Sequence, residues 1–221
     1  MPFDSVQISG SGGSWGAFSA LVRSDGTASH AHALSLAAPD APLRDVADAL
    51  HLICLLHGDR PGLIDHATGP SAGTAAEDWV AAAVEGFPIE RGYVIRLVAA
   101  AGPLPSTPGQ AETDAAIRAQ RHALDTLGQS ARMGCAAGAA MALAIDWRVI
   151  REVLDAAAAR LGIAAPEYGL PILQETAIVI DALAYSLSIE RAMMFGAQQL
   201  LAQHRGLWDL LEARASARDR Q

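Results

Sequence analysis

A mainly α fold is predicted by three observations. Apolar residues recur at three- and four-residue spacing through most of the second half, from about Gln110 to Ala215. The chain is 51% hydrophobic but only 5% aromatic, so much of its apolar content is alanine, the strongest helix former. Gly/Pro-rich stretches near positions 58–73 and 102–109 punctuate these patterns and read as loops. The expected architecture is an antiparallel helical bundle in the C-terminal half, packed with additional N-terminal helices. One short hairpin near the N-terminus is allowed. A chain of 221 residues fits a single helical domain, with a subdivision into 1–101 and 110–221 as the alternative.

The first dozen residues, ending in Ile8-Ser9-Gly10-Ser11-Gly12-Gly13, read as a flexible lead-in. Ser14 suits a helix N-cap, with Trp15, Phe18 and Val22 at helical spacing and Asp25-Gly26 as the stop. The stretch 28–38 is compatible with strand, helix or loop. Leu43 to His57 reads as a helix, with Gly58 after its last turn and Leu43, Val46, Leu50, Ile53, Cys54 and His57 on one face. Leu52, Leu55 and Leu56 cover the other side, so its C-terminal half should be buried all round. Thr74 to Glu85 is a helix with Thr74 and Glu77 in capping-box spacing. For 89–101, Tyr93-Val94-Ile95 favours strand and the flanking context favours helix.

Gly102 to Gly109 reads as a linker. One long helix or two then run from Gln110 to Ile145. Asp146 can cap a further helix over Trp147–Leu161, whose Trp147, Ile150, Leu154, Ala157 and Leu161 form a bundle seam. Helices from Pro171 to Leu187 and from Ile189 to Ala215 complete the bundle. Asp45, Asp48, Glu77, Asp78, Glu152 and Asp155 read as solvated faces, with Arg44 and Asp48 paired at i, i+4.

The net charge of −8 argues against nucleic acid, which needs a basic face. The chain has no Lys, which removes Schiff-base and P-loop lysine chemistry. The longest apolar run, Gly134 to Ile145, is too short to span a membrane. Cys54 and Cys135 read as free thiols, and the N-terminus carries no secretory pattern. A cytoplasmic location is expected.

Five of the seven histidines fall within the first 66 residues. On a strand, His30 and His32 would share a side, and His57 and His66 could complete a metal site. Against this, a histidine in a last helical turn, as His57 would be, is favoured by the helix dipole alone. His204 lies in the apolar stripe of Leu200, Leu207, Trp208 and Leu211, where a buried imidazole needs partners for both nitrogens. His57, His66 and His204 are therefore the candidate ligand-binding residues. If the two halves pack together, His57 and His204 can meet. Gly134, Gly138 and Ala142 form a small-residue ladder for close helix packing or a subunit interface.

Gly12-Gly13-Ser14-Trp15-Gly16 matches the short Gly-x-Ser-x-Gly pattern of serine hydrolases, with Asp65 and His66 downstream. A sheet beneath it is missing from the sequence pattern, and adjacent Asp and His residues suit a triad poorly. No Glu-x-x-His occurs, so a standard di-iron bundle is not expected. No cofactor is required by any motif. The sequence points to association, as a homo-oligomer or with a protein partner, ahead of catalysis. A small-molecule or metal-binding bundle with a histidine-lined pocket is the alternative, and a Ser14 hydrolase the remote one.

Overall fold

Helix propensity is realised throughout the residues that the computed structural model describes, 13–220. The Gly-rich lead-in and Gly12 lie outside them. The elements are α1 (Ser14–Asp25), a 3₁₀ turn (Thr27–Ser29), α2 (Ala31–Leu36), α3 (Leu43–His57), α4 (Leu63–Ser71) and α5 (Glu77–Ala101). They continue with α6 (Gln110–Gly128), α7 (Cys135–Leu161), α8 (Leu173–Leu183) and α9 (Leu187–Asp219). The protein is a mainly α helical bundle, with no strand among the described residues.

The hairpin allowed near the N-terminus is replaced by the 3₁₀ turn and α2. Ala33 and Leu36, three residues apart, bury one side of α2, which a strand period would not achieve. The 89–101 stretch is helix, continuous with the preceding segment as one 25-residue α5. It runs through Pro88 because Val80, Ala83, Phe87, Glu90, Val94 and Leu97 form an unbroken buried stripe across that position. Thr74 and Glu77 form no capping box. The Thr74 hydroxyl accepts from the Ala76 amide, and Glu77 accepts from Gly73 N–H. Helix α4 arises inside the expected 58–73 loop, where Asp65 accepts from Gly62 N–H at 2.9 Å and closes its first turn.

Helix α7 is the central post. Residues Cys135 to Ala144 are buried on every side, as a run of small side chains allows. Asp146 begins no new helix: α7 passes through it, and its carboxylate is sealed in the core. The α3 helix runs antiparallel to α5 and α9, with His57 beside His204 and Asp48 beside Arg214. By contrast α7 and α9 run in the same direction. Gly134 meets Ile189, Gly138 meets Met193 and Asp146 meets His204, so the pairs advance together. The 162–172 segment, which bonds back to Arg151 and the Ala144 carbonyl, and then α8 return the chain to the starting end. Leu55 is 46% exposed, so one side of α3 stays open where an all-round buried half was expected. The 102–109 connection is fastened rather than free, because the buried hydroxyl of Thr107 accepts from Arg218 at 2.7 Å.

Candidate functional site

Three helices, α3, α7 and α9, and the 3₁₀ turn converge on a buried chain of hydrogen bonds. His57 closes α3 and points its Nε2 at Nε2 of His204 on α9, 3.0 Å away. His204 Nδ1 lies 2.6 Å from Oδ2 of Asp146 on α7. That same oxygen accepts from the Thr27 hydroxyl at 2.6 Å, and Oδ1 accepts from Thr27 N–H at 2.7 Å. Trp208 Nε1 donates to the Thr27 hydroxyl at 2.9 Å. Donor and acceptor order assigns the protons. A carboxylate can only accept, so His204 donates from Nδ1, and a single N–H lies between the two facing Nε2 atoms.

Asp146 and His204 are buried to 1% and 0% exposure, and His57 keeps 7%. Burial pushes the His57 imidazole well below its usual pKa, and the charges of His204, Arg91 and Arg121 add to the effect. Its ring packs edge-on against Trp147 and Phe87, with centroids 5.4 and 6.4 Å away. Local sequence explains the close approach around Asp146. A Cβ at Gly26 would collide with the Asp146 carboxylate and the Val22 carbonyl, so only glycine lets Thr27 reach it.

Arg91 secures the rim. Its Nε donates to the His57 carbonyl at 3.1 Å, its Nη2 to Asp65 at 2.6 Å, and its guanidinium lies over Phe87. Burial disfavours the charged form of Asp65, but the hydrogen bonds from Arg91 and Gly62 prevail and lower its pKa. The residue before it, Glu90, is fully buried and accepts from Trp147 Nε1, Arg151 and Gly169 N–H. Chemically, the Asp146–His204–His57 chain can hold one proton position against another, from a carboxylate to an imidazole edge.

A second ionic cluster corrects the solvated-face reading of Asp45 and Asp48. Asp48 is fully buried and accepts from Arg214 Nε and Arg218 Nη1, both at 2.7 Å. Asp45 accepts from Arg218 Nη2 at 2.7 Å, and Arg44 pairs with Asp219 and Asp45 rather than Asp48.

Of the sequence candidates, the structure brings His57 and His204 together and leaves His66 apart. His66 faces Asp125 on α6 at 3.7 Å and Gln129 just past the end of that helix. His30 meets Asp209 at 3.1 Å, and Glu212 lies beside the pair, the three ligand-type atoms within 4.8 Å of one another. His32 is half-buried, and burial lowers its pKa. The four-histidine metal set of His30, His32, His57 and His66 therefore falls into separate places. Ser14 is the first residue of α1 behind an N-cap at Gly13, and its hydroxyl donates to Glu190 at 2.9 Å. No hydrogen bond among the described residues joins Ser14, Asp65 and His66.

Gly134, Gly138 and Ala142 face inward. A Cβ on Gly134 would press on Ile189, and one on Gly138 would collide with the Met193 carbonyl, so the ladder lies at the α7–α9 crossing. Sequence reasoning missed Asp146, Thr27 and Arg91 as partners of the histidines. A buried His204 does demand an acceptor, but nothing local says which element supplies it.

The surface carries a different feature. A cleft of about 340 Å³ opens between α6 and α9, lined by Leu127, Ser130, Cys135, Phe195, Gln199 and Gln203 among others, with no charged residue. Close by, the Tyr185 hydroxyl lies 3.2 Å from Met133 Sδ. No helix among the described residues is long and apolar enough to cross a membrane.

The model of a family described as a family of unknown function (DUF6975) matches residues 22–219. No curated protein and no solved structure matches the chain. The family match takes in Thr27, His57, Asp146, His204 and both arginines of the second cluster, and on that span the chain belongs to the DUF6975 family.

Proposed function

We propose that this protein works by association, and that its first partner is a second copy of itself. The carrying observation is the exposure of Tyr185 and Leu187, at 70% and 69%, where α8 turns into α9. Met133 and Phe195 stand 48% and 45% exposed. Met133 touches Tyr185, and its 129–134 connection also supplies Ser130 to the neutral cleft beside Phe195. Aromatic and Met side chains without charge are what the centre of an interface is made of.

A second copy suits this face for two reasons. A two-fold pair sets the same patch against itself, so projecting Tyr185 and Leu187 of one copy can enter the cleft of the other. Two chains of net charge −8 repel over most of their surface and approach most easily where charge is lacking.

Sedimentation velocity over roughly 1–100 μM, a range that covers weak protein contacts, tests this reading. A mass that rises toward the dimer, and a Tyr185→Asp/Leu187→Asp variant that stays monomeric with an unchanged melt, supports it. A wild-type chain that is monomeric throughout removes it.

A further inference from the structure

We infer that His30, Asp209 and Glu212 form a binding site for a divalent transition-metal ion, best suited to zinc. The inference stands apart from the association reading and uses other residues. The three side chains each place a ligand-type atom within 4.8 Å of the other two. They come from two elements: His30 precedes α2, and Asp209 and Glu212 sit three residues apart on α9, on one face of that helix.

Zinc donors stand about 2.0–2.2 Å from the metal, so two at a tetrahedral angle lie roughly 3.3–3.5 Å apart. The His30 Nε2 to Asp209 Oδ1 separation is 3.1 Å, within a small adjustment of such an edge. Glu212 reaches the third position by rotation of an exposed side chain. Water fills the remaining coordination, giving one imidazole and two carboxylates, a set that borderline metals accept.

The backbone that carries the imidazole is held in place before any ion arrives. The His30 backbone N–H donates to the Thr27 carbonyl at 3.1 Å, and Thr27 is itself locked to Asp146 and Trp208. The His30 side chain is only 13% exposed, and its Nδ1 is sealed off without a protein partner, so Nε2 is the nitrogen turned to the carboxylates. Among the described residues no arginine forms an ion pair with Asp209 or Glu212. Two carboxylates thus face a single imidazole, and a dication neutralises the pair.

Calorimetric titration of zinc into the untagged, chelator-stripped full chain tests the site. The expected result is one zinc per chain, with affinity at least about tenfold weaker in Asp209→Asn/Glu212→Gln and in His30→Ala, since even partners of zinc ligands are worth that much. His66→Ala is expected to bind as the wild type does. Cobalt(II) gives a second readout, by paramagnetic broadening of the His30 ring resonances, which needs no variant to fold. The assignment is overturned if the wild type takes up no zinc, if Asp209→Asn/Glu212→Gln binds undiminished, if His66→Ala abolishes binding, or if cobalt leaves His30 sharp.

Discussion

His57 and His204, 147 residues apart in the chain, share one hydrogen bond of 3.0 Å in the interior. It joins the C-terminal end of α3 to the middle of α9, and Asp146 of α7 anchors its far side. Three helices therefore depend on the protonation state of two rings.

Acid should loosen the fold. His57 is held neutral by burial and by the charges of His204, Arg91 and Arg121, while Asp146 and Asp65 are the carboxylates bonded to His204 and Arg91. In the unfolded chain an imidazole protonates near pH 6.5. Below that pH the unfolded state binds a proton that the folded state refuses, so stability falls as pH drops. The contribution is complete above the unfolded value and shrinks by up to ~1.4 kcal/mol per pH unit beneath it. His32, lowered by burial, adds to the same slope. Urea melts at pH 7.5, 6 and 5 should show this decline, and His57→Phe should make it shallower. An unchanged slope in that variant would place the acid sensitivity elsewhere.

Asp48 should be among the costliest single sites. Its one Oδ2 atom satisfies both Arg214 and Arg218 in a fully buried setting. Asp48→Ala removes the acceptor and leaves two cations without it, a loss of about 3–5 kcal/mol. Chemical denaturation measures it directly, and a change below about 1 kcal/mol would mean that water takes over the role.

Gly138 should not tolerate a side chain. Its Cβ would meet backbone, the Met193 carbonyl, which cannot swing away as a side chain could. Gly138→Leu is expected to cost on the order of 1–3 kcal/mol or more through overpacking. Gly92→Ala is the internal control: a Cβ there would meet only the far end of the Arg96 side chain at 3.8 Å, and alanine in a helix should gain about 0.5–1 kcal/mol. Equal melting temperatures for the two variants would refute the close α7–α9 crossing.

The parts of this structure that were legible in the sequence are those with a periodic signature. The seam of Trp147, Ile150, Leu154 and Ala157 and the stripe of Leu200, His204, Leu207 and Leu211 both lie in the core as spacing implies. His204 was readable as a buried imidazole because apolar neighbours surround it on its own helix. Its acceptor was not, because Asp146 sits between two helical patterns and resembles a cap, a role that a carboxylate fills far more often than a core position. Asp48 misled for a related reason: Arg44 offers it a partner one turn away, while its real partners are 166 and 170 residues distant. Helix α4 was hidden by its own composition, since Gly62, Gly69 and Pro70 signal a loop, and Leu63, Ile64 and Ala67, buried against its neighbours, outweigh them.

The 33-residue α9 helix carries His204 and, about 15 Å further along its axis, Arg214, each engaged in a separate buried polar lock. A rod keyed at two points cannot slide. Shifting α9 by one turn would have to strand an imidazole and a guanidinium together, with no halfway position in which either is served. The helix is thereby given a single longitudinal setting, and whatever its outer face presents, from Phe195 near one end to Glu212 toward the other, is held at fixed spacing like graduations on a rule.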